Sequence, residues 1–203
     1  MTSRTILSLA AVGIAGALAA ICATAGTAAP SPADGAPQYD ASGKLLFPTD
    51  YREWVFLSSG VDMSYSERPA MAGAHMFDNV FVPRAAYEAF KKTGVWPDKT
   101  MLVLEARGGI QKGSINKLGL YQNNDIMGTE VHVKDTARFK GGWGFFGFQG
   151  PAPAAMIPYA AACYACHEQH AAADTTFAQF YPTLLPIATK LGTLNPAYVA
   201  ETK

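Results

Sequence analysis

The middle of the chain alternates between apolar and polar positions. "TMLVLEARG" (100–108) places Leu102, Leu104 and Ala106 on one face and Met101, Val103, Glu105 and Arg107 on the other. That period of two predicts a strand, with the first face the more apolar. "HMFDNVFVP", "SINKLGLYQ", "MGTEVHVKD" and "WGFFGFQG" read as further strands. "FPTDYREWVFLSSGVDM" begins with a cap-like Asp50 and a short turn, then becomes strand-like. One segment has the helical period instead. "PRAAYEAFKKTG" opens on Pro83, carries lysines near its end and stops at Gly94, and "WPDKT" after it is a turn. The last quarter is alanine-rich and helical, with "TTFAQFYPTLLPIATKLG" interrupted at Pro182 and Pro186. Strands in the middle and helices at the end, with one helix between strands, predict an α+β fold with a mainly antiparallel sheet.

Composition narrows the class. The chain has 203 residues, 49% of them hydrophobic and 16% charged, with a formal net charge of +0. That is material for roughly one domain with an ordinary core. It lacks the basic footprint of a nucleic-acid binder, so no nucleic-acid partner is expected. The start "MTSRTILSLAAVGIAGALAAICATAGTAAP" has an early Arg4, an apolar stretch and small residues. This is the order of a secretory signal, and it places the signal peptide at 1–28. The competing reading is an uncleaved membrane anchor, for which the apolar run is nearly long enough. Residues 29–45, rich in Pro, Gly and Ala, read as a flexible lead-in, and 46–203 as the folded domain. Cleavage leaves an exported protein with no later membrane span and with only Cys163 and Cys166 as cysteines.

Those cysteines lie in "CYACH", within "MIPYAAACYACHEQH". A redox dithiol, half of a zinc site and a haem anchor are the three readings of such a run. A dithiol of the thioredoxin kind follows a strand in a βαβ setting, which is not seen here. A structural zinc site needs two more soft ligands, and no other cysteine remains. Haem attachment needs two thiols for the vinyl groups and an imidazole under the iron, and Cys-x-x-Cys-His supplies all three. Cys163 and Cys166 are then the thioether links to one covalently held haem c, and His167 is the proximal iron ligand. His170 lies on nearly the same helix face and reads as a polar neighbour of the haem edge.

The order of several blocks resembles the cytochrome P-460 and cytochrome c′-beta family. They run from "YREWVFLSSGVDM" through "NVFV", "AYEAFKKTGVWPDKT", "LVLEARGG", "GTEVHVKD" and "WGFFGF" to "CYACHEQHAAADTTFAQFYPTLLP". The resemblance implies an antiparallel sheet packed against a His-ligated c-type haem, an open distal side and a homodimer. In the P-460 branch, which oxidises hydroxylamine, a strand lysine is bonded to the porphyrin. Leu104 stands at that position, and Lys99 has the wrong strand parity to replace it. The chain therefore resembles the c′-beta branch, whose members bind nitric oxide and carbon monoxide at a five-coordinate haem. Glu130 falls where P-460 members carry a pocket carboxylate, and is the candidate catalytic group. Its alternation with His132 and Lys134 resembles a wet strand face, which leaves pocket and solvent equally open. A pocket arginine of that branch falls near Asp78 and is missing here.

His75, His132, Met76, Met101 and Met127 are the candidate sixth ligands, and none carries a motif of its own. Phe77 and a phenylalanine of "WGFFGF" are candidates to cap the iron, by resemblance to c′-beta members. An apolar cap favours neutral diatomics over anionic ligands. Three functions follow. One is a periplasmic protein binding nitric oxide or carbon monoxide. The second is an oxidoreductase acting on hydroxylamine or peroxide, with Glu130, Asp78 or His75 as acid or base. The third is an electron carrier with an unidentified redox partner.

Overall fold

A computed structural model describes residues 35–68 and 73–203; the predicted signal peptide and the start of the lead-in lie outside them. Five strands form one sheet in the order β1-β2-β3-β4-β5, and every neighbouring pair is antiparallel. They are β1 (Val55–Val61), β2 (His75–Val82), β3 (Met101–Ile110), β4 (Tyr121–Lys134) and β5 (Trp143–Phe148). Helix α1 (Arg84–Thr93) joins β2 to β3, and α2 (Cys163–His170), α3 (Leu185–Leu191) and α4 (Pro196–Glu201) follow the sheet. This is the α+β architecture that the segregation of patterns predicts. Among the described residues no helix is long and apolar enough to cross a membrane.

Several local expectations change. "SINKLGLYQ" and "MGTEVHVKD" are not two strands. Ser114–Gly119 is the tip of a hairpin, closed by Asn116 Nδ2 donating to the carbonyls of Gln111 (2.6 Å) and Gly119 (3.1 Å). The 14-residue β4 then runs back along β3, with register shifts beside Arg107. Its polar start, "YQNND", is held as strand by pairing rather than by propensity. Asp50 makes no cap bond; its carboxylate accepts from Trp54 Nε1 at 3.3 Å. Pro186 does not interrupt α3 but sits in its first turn, where a missing N–H costs nothing. α4 was not read from the sequence, although Asn195 caps it by accepting from Ala197 N at 3.0 Å and Pro196 opens it. The lead-in is ordered where it is described. Leu45 is fully buried and exchanges two 2.9 Å backbone bonds with Ala154.

α1 ends as predicted. Gly94 is left-handed (φ 72), its N–H bonds Phe90 O at 2.7 Å, and a Cβ there would lie 2.3 Å from Thr193 Oγ1.

Both faces of the sheet are covered. One carries Leu57, Val82, Leu102, Trp143 and Phe145 against Phe90 of α1 and the alanines around α2 and α3. The other carries Met101, Val103, Val131, Val133 and Phe146 against Leu45, Tyr51 and Ala154. Alternation along β3 separates the two as expected, but it does not show that Glu105 is wholly buried on the second face. Its carboxylate accepts from Tyr51 OH (2.5 Å), Arg107 Nε (2.8 Å) and Nη2 (3.1 Å), Asn79 Nδ2 (3.3 Å) and the Arg52 guanidinium. A buried charge is tolerable when paired and hydrogen-bonded in this way. Burial and then the carboxylate push the Tyr51 phenol up to about 12.

Removing the carboxylate by Glu105→Leu would strand Arg107, whose side chain is 11% exposed, and the Tyr51 hydroxyl. The expected loss is about 3–5 kcal/mol in urea unfolding. Glu105→Gln, which keeps an acceptor, should lose less. Equal stability of Glu105→Leu and the unaltered protein would contradict this account.

Candidate functional site

The Cys-x-x-Cys-His run forms α2. A left-handed Ala162 (φ 62) precedes it, and Cys166 N bonds Ala162 O at 2.9 Å to begin the helix. On a helix, positions three and four apart share a face, so Cys163, Cys166 and His167 are brought together. All three line a cavity of about 330 Å³ between α2 and the sheet, and both thiols are free. The volume falls in the range of small-molecule sites, about 300–1,000 Å³.

His167 is held in one tautomer. Its Nδ1 lies 3.0 Å from Thr175 O, an acceptor only, so the proton sits on Nδ1 and Nε2 keeps its lone pair. Burial pushes the imidazole down to about 3, helped by His132, so it is neutral. A neutral imidazole with its second nitrogen anchored is the form that ligates a metal. Its ring packs 4.2 Å from Phe177, 4.8 Å from Phe145 and 4.8 Å from His132, centre to centre.

The opposite wall is the first face of the sheet. Leu104 lines it, with Val80 and Glu130 as its cross-strand partners and Leu102 two residues away. Phe77 does not line it. It alternates with Asp78 and Val80, pairs with Val61 and Arg107, and so belongs to the face carrying Asn79 and Phe81. The phenylalanines at the cavity are Phe145 and Phe146 of "WGFFGF" and Phe177. Phe177 and Tyr65, whose rings are 5.9 Å apart, were missed by sequence reasoning. Both lie in irregular segments, where no periodicity reveals direction.

Glu130 and His132 lie on the cavity wall, so theirs is not an ordinary wet strand face. Glu130 occupies the rim, with its side chain 60% exposed and Oε2 3.8 Å from His132 Nε2. The His132 side chain holds this carboxyl below the usual carboxylate range, so Glu130 is ionised. Among the candidate sixth ligands only His132 is at the cavity. His75 is paired outside it with Asp62 at 2.7 Å. Met101 is buried on the other face, Met127 lines a separate groove, and Met76 is not on the wall. His170 pairs with Glu201 of α4 at 2.9 Å, a polar role at the helix end. Lys99 is tied to Asp135 at 2.5 Å, away from the cavity.

Two free thiols and a neutral imidazole on one helix face, opening on an apolar cavity, fit a haem attached at its edge and ligated from one side. Fold and site together define a c-type haem protein built on an antiparallel sheet. Residues 48–178 match the cytochrome P460 family, a stretch that takes in β1 to β5 and the Cys-x-x-Cys-His helix, and the chain belongs to that family. No curated protein matches the chain.

Asp78 supplies a pH test. Burial, with the charges of Glu130 and Asp62, pushes it up to about 6. Its folded value is therefore above the unfolded one, near 3.9. The folded chain keeps a proton that the unfolded chain gives up, so this contribution to stability is present below pH ~4 and is lost as pH rises through ~6. Asp78→Asn should remove that loss. With a discount for partial exposure, the variant should gain on the order of 1–2 kcal/mol relative to the unaltered protein between pH 4 and 7. Parallel urea curves at those two pH values check it; an unchanged difference would refute the assignment.

Proposed function

We propose that the protein is an exported, periplasmic cytochrome in which Cys163 and Cys166 attach one haem c, His167 ligates its iron, and the opposite side takes nitric oxide or carbon monoxide. The haem supplies the iron at which such a ligand coordinates; the chain supplies orientation and selection. The observation that carries the reading is the apolar wall formed by Val80, Leu102, Leu104 and Phe145 across from α2. Among the described residues lining the cavity there is no lysine and no arginine. Leu104 occupies the position of the porphyrin-bonding lysine, which favours the branch without that bond. These four side chains offer no donor to a ligand that develops negative charge, whereas a neutral diatomic loses little beside them. The leader pattern supports export, and the family resemblance supports a homodimer.

A second reading has its own observation. Glu130 at the rim and Asp78 beside it are held at different proton affinities, one lowered and one raised to about 6. That is the arrangement of a base and an acid, and it favours proton-coupled oxidation of a small nitrogen compound such as hydroxylamine. His132 at the cavity wall supports the third reading, an electron carrier with a sixth ligand.

The absorption spectrum of the dithionite-reduced protein, with and without carbon monoxide, separates the three. A high-spin spectrum that changes on carbon monoxide addition is expected. A sharp low-spin spectrum indifferent to carbon monoxide would overturn the proposal in favour of His132 ligation. A strongly red-shifted Soret band would reveal a porphyrin cross-link and restore hydroxylamine oxidation. Attachment has a separate check. Haem should stay with the denatured chain on an electrophoresis gel, and should leave it in Cys163→Ser/Cys166→Ser.

A further inference from the structure

The carbonyl that meets His167 belongs to a strained residue. Asp174 (φ 47) and Thr175 (φ 58) are both left-handed. For threonine, β-branched, this is an outlier costing on the order of 1–3 kcal/mol. Such a conformation persists only where its surroundings impose it. Here the surroundings are a set of bonds from two other parts of the fold. Asp174 Oδ2 accepts from Lys134 Nζ and from Trp96 N, both at 2.7 Å. Lys134 Nζ, at the end of β4, also donates to Trp96 O at 2.8 Å. Trp96 Nε1 donates to Thr176 Oγ1 at 2.9 Å, and Thr176 Oγ1 donates to Ala173 O at 2.8 Å. Trp96 and Thr176 are each 1% exposed, and the Lys134 and Asp174 side chains 12% and 15%. The loop after α2 is clamped on both sides of Thr175.

We infer that Lys134, Asp174, Trp96 and Thr176 are positioning residues that hold the Thr175 carbonyl on His167 Nδ1 and so set the electron-donating strength of the axial imidazole. An N–H that donates to a carbonyl leaves the opposite nitrogen richer in electrons, a stronger donor to iron, and a stronger donor favours the ferric state. If the clamp is released, the strained pair relaxes and the carbonyl turns away. The reduction potential then rises. The inference rests on His167 being the iron ligand, but not on which molecule the other side of the haem takes.

The haem-loaded, full-length protein tests it through its midpoint potential. Asp174→Asn and Asp174→Ala remove the same charge, so their through-space effects match. Asparagine still tolerates the left-handed conformation and still offers Trp96 N an acceptor. Asp174→Ala should therefore have the higher potential, by about tenfold in the ferrous-to-ferric ratio, ~59 mV for one electron. Thr176→Val changes no charge and should also rise above the unaltered protein. Identical potentials for Asp174→Asn and Asp174→Ala, with Thr176→Val unmoved, would overturn the inference and leave the clamp a purely structural feature. His167→Gly distinguishes the two levels of failure. An unchanged spectrum there would overturn the ligand assignment itself. A changed spectrum with insensitive clamp variants would overturn only the role given to the clamp.

Discussion

The site depends on holding an eight-residue helix still. A helix that short is not stable alone, because nucleation is costly and too few bonds follow it; isolated helices need about 12–15 residues even to be marginal. α2 therefore takes its order from what surrounds it. Asn195 Nδ2 donates to the carbonyls of Glu168 (2.9 Å) and Ala171 (3.2 Å), and Gln179 Nε2 donates to His170 O at 2.9 Å. Those carbonyls lie at and just beyond the helix end, where no further turn can satisfy them. Asn195 and Gln179, which follow the helix in the chain, thus help to fix the direction of Cys163, Cys166 and His167.

β3 is the second constraint, since one strand serves two buried faces. Leu102 and Leu104 give the cavity an apolar wall, while Glu105, next after Leu104 on the opposite face, is the centre of a buried ionic network. Strand geometry keeps the two environments apart without any intervening layer. The network anchors the segment around Tyr51 and Arg52 to the back of the sheet, so the cavity wall is braced from behind. A cavity wall that must stay apolar cannot carry its own polar anchors, and the reverse face supplies them.

What the sequence disclosed follows from the kind of signal each part carries. The sheet was legible because β2, β3 and β5 are short runs rich in strand-forming residues, with alternation argued along β3, and α1 because Pro83 and Gly94 bracket a helical period. The Cys-x-x-Cys-His run was legible as a candidate haem anchor because its chemistry is local to five residues. Leu104 was singled out by resemblance with parity in support, and it lines the cavity. Phe77 was named as a cap by resemblance alone, and its parity in β2, opposite to that of Val80, turns it to the other face. The extent of β4 was hidden because its first half is polar and is made a strand by its partner. Phe177, Tyr65 and the clamp around Thr175 were hidden because they join loops far apart in the chain, and loops carry no period. Glu105 was assigned to its face, but nothing in "VLEAR" says that Tyr51 and Arg52 return to cover it.

The distribution of charge around the cavity bears on all three functional readings at once. Glu130, ionised, is the carboxylate on its wall, and Asp78, near enough to feel that charge, is protonated over part of the ordinary pH range. A rim of this sign disfavours entry of small anions and leaves neutral molecules unhindered. The gas-binding reading needs no more than that. The oxidative reading needs a proton acceptor and a proton donor close together, and Glu130 on the wall with Asp78 near it would serve, provided the substrate arrives neutral. The electron-carrier reading makes no use of the rim at all, since a ligand from His132 would close the site from within. The rim is thus an unexplained expense on that reading and a working part on the other two. The acidic mouth and the apolar wall together favour a site that admits small neutral molecules over one that only passes electrons.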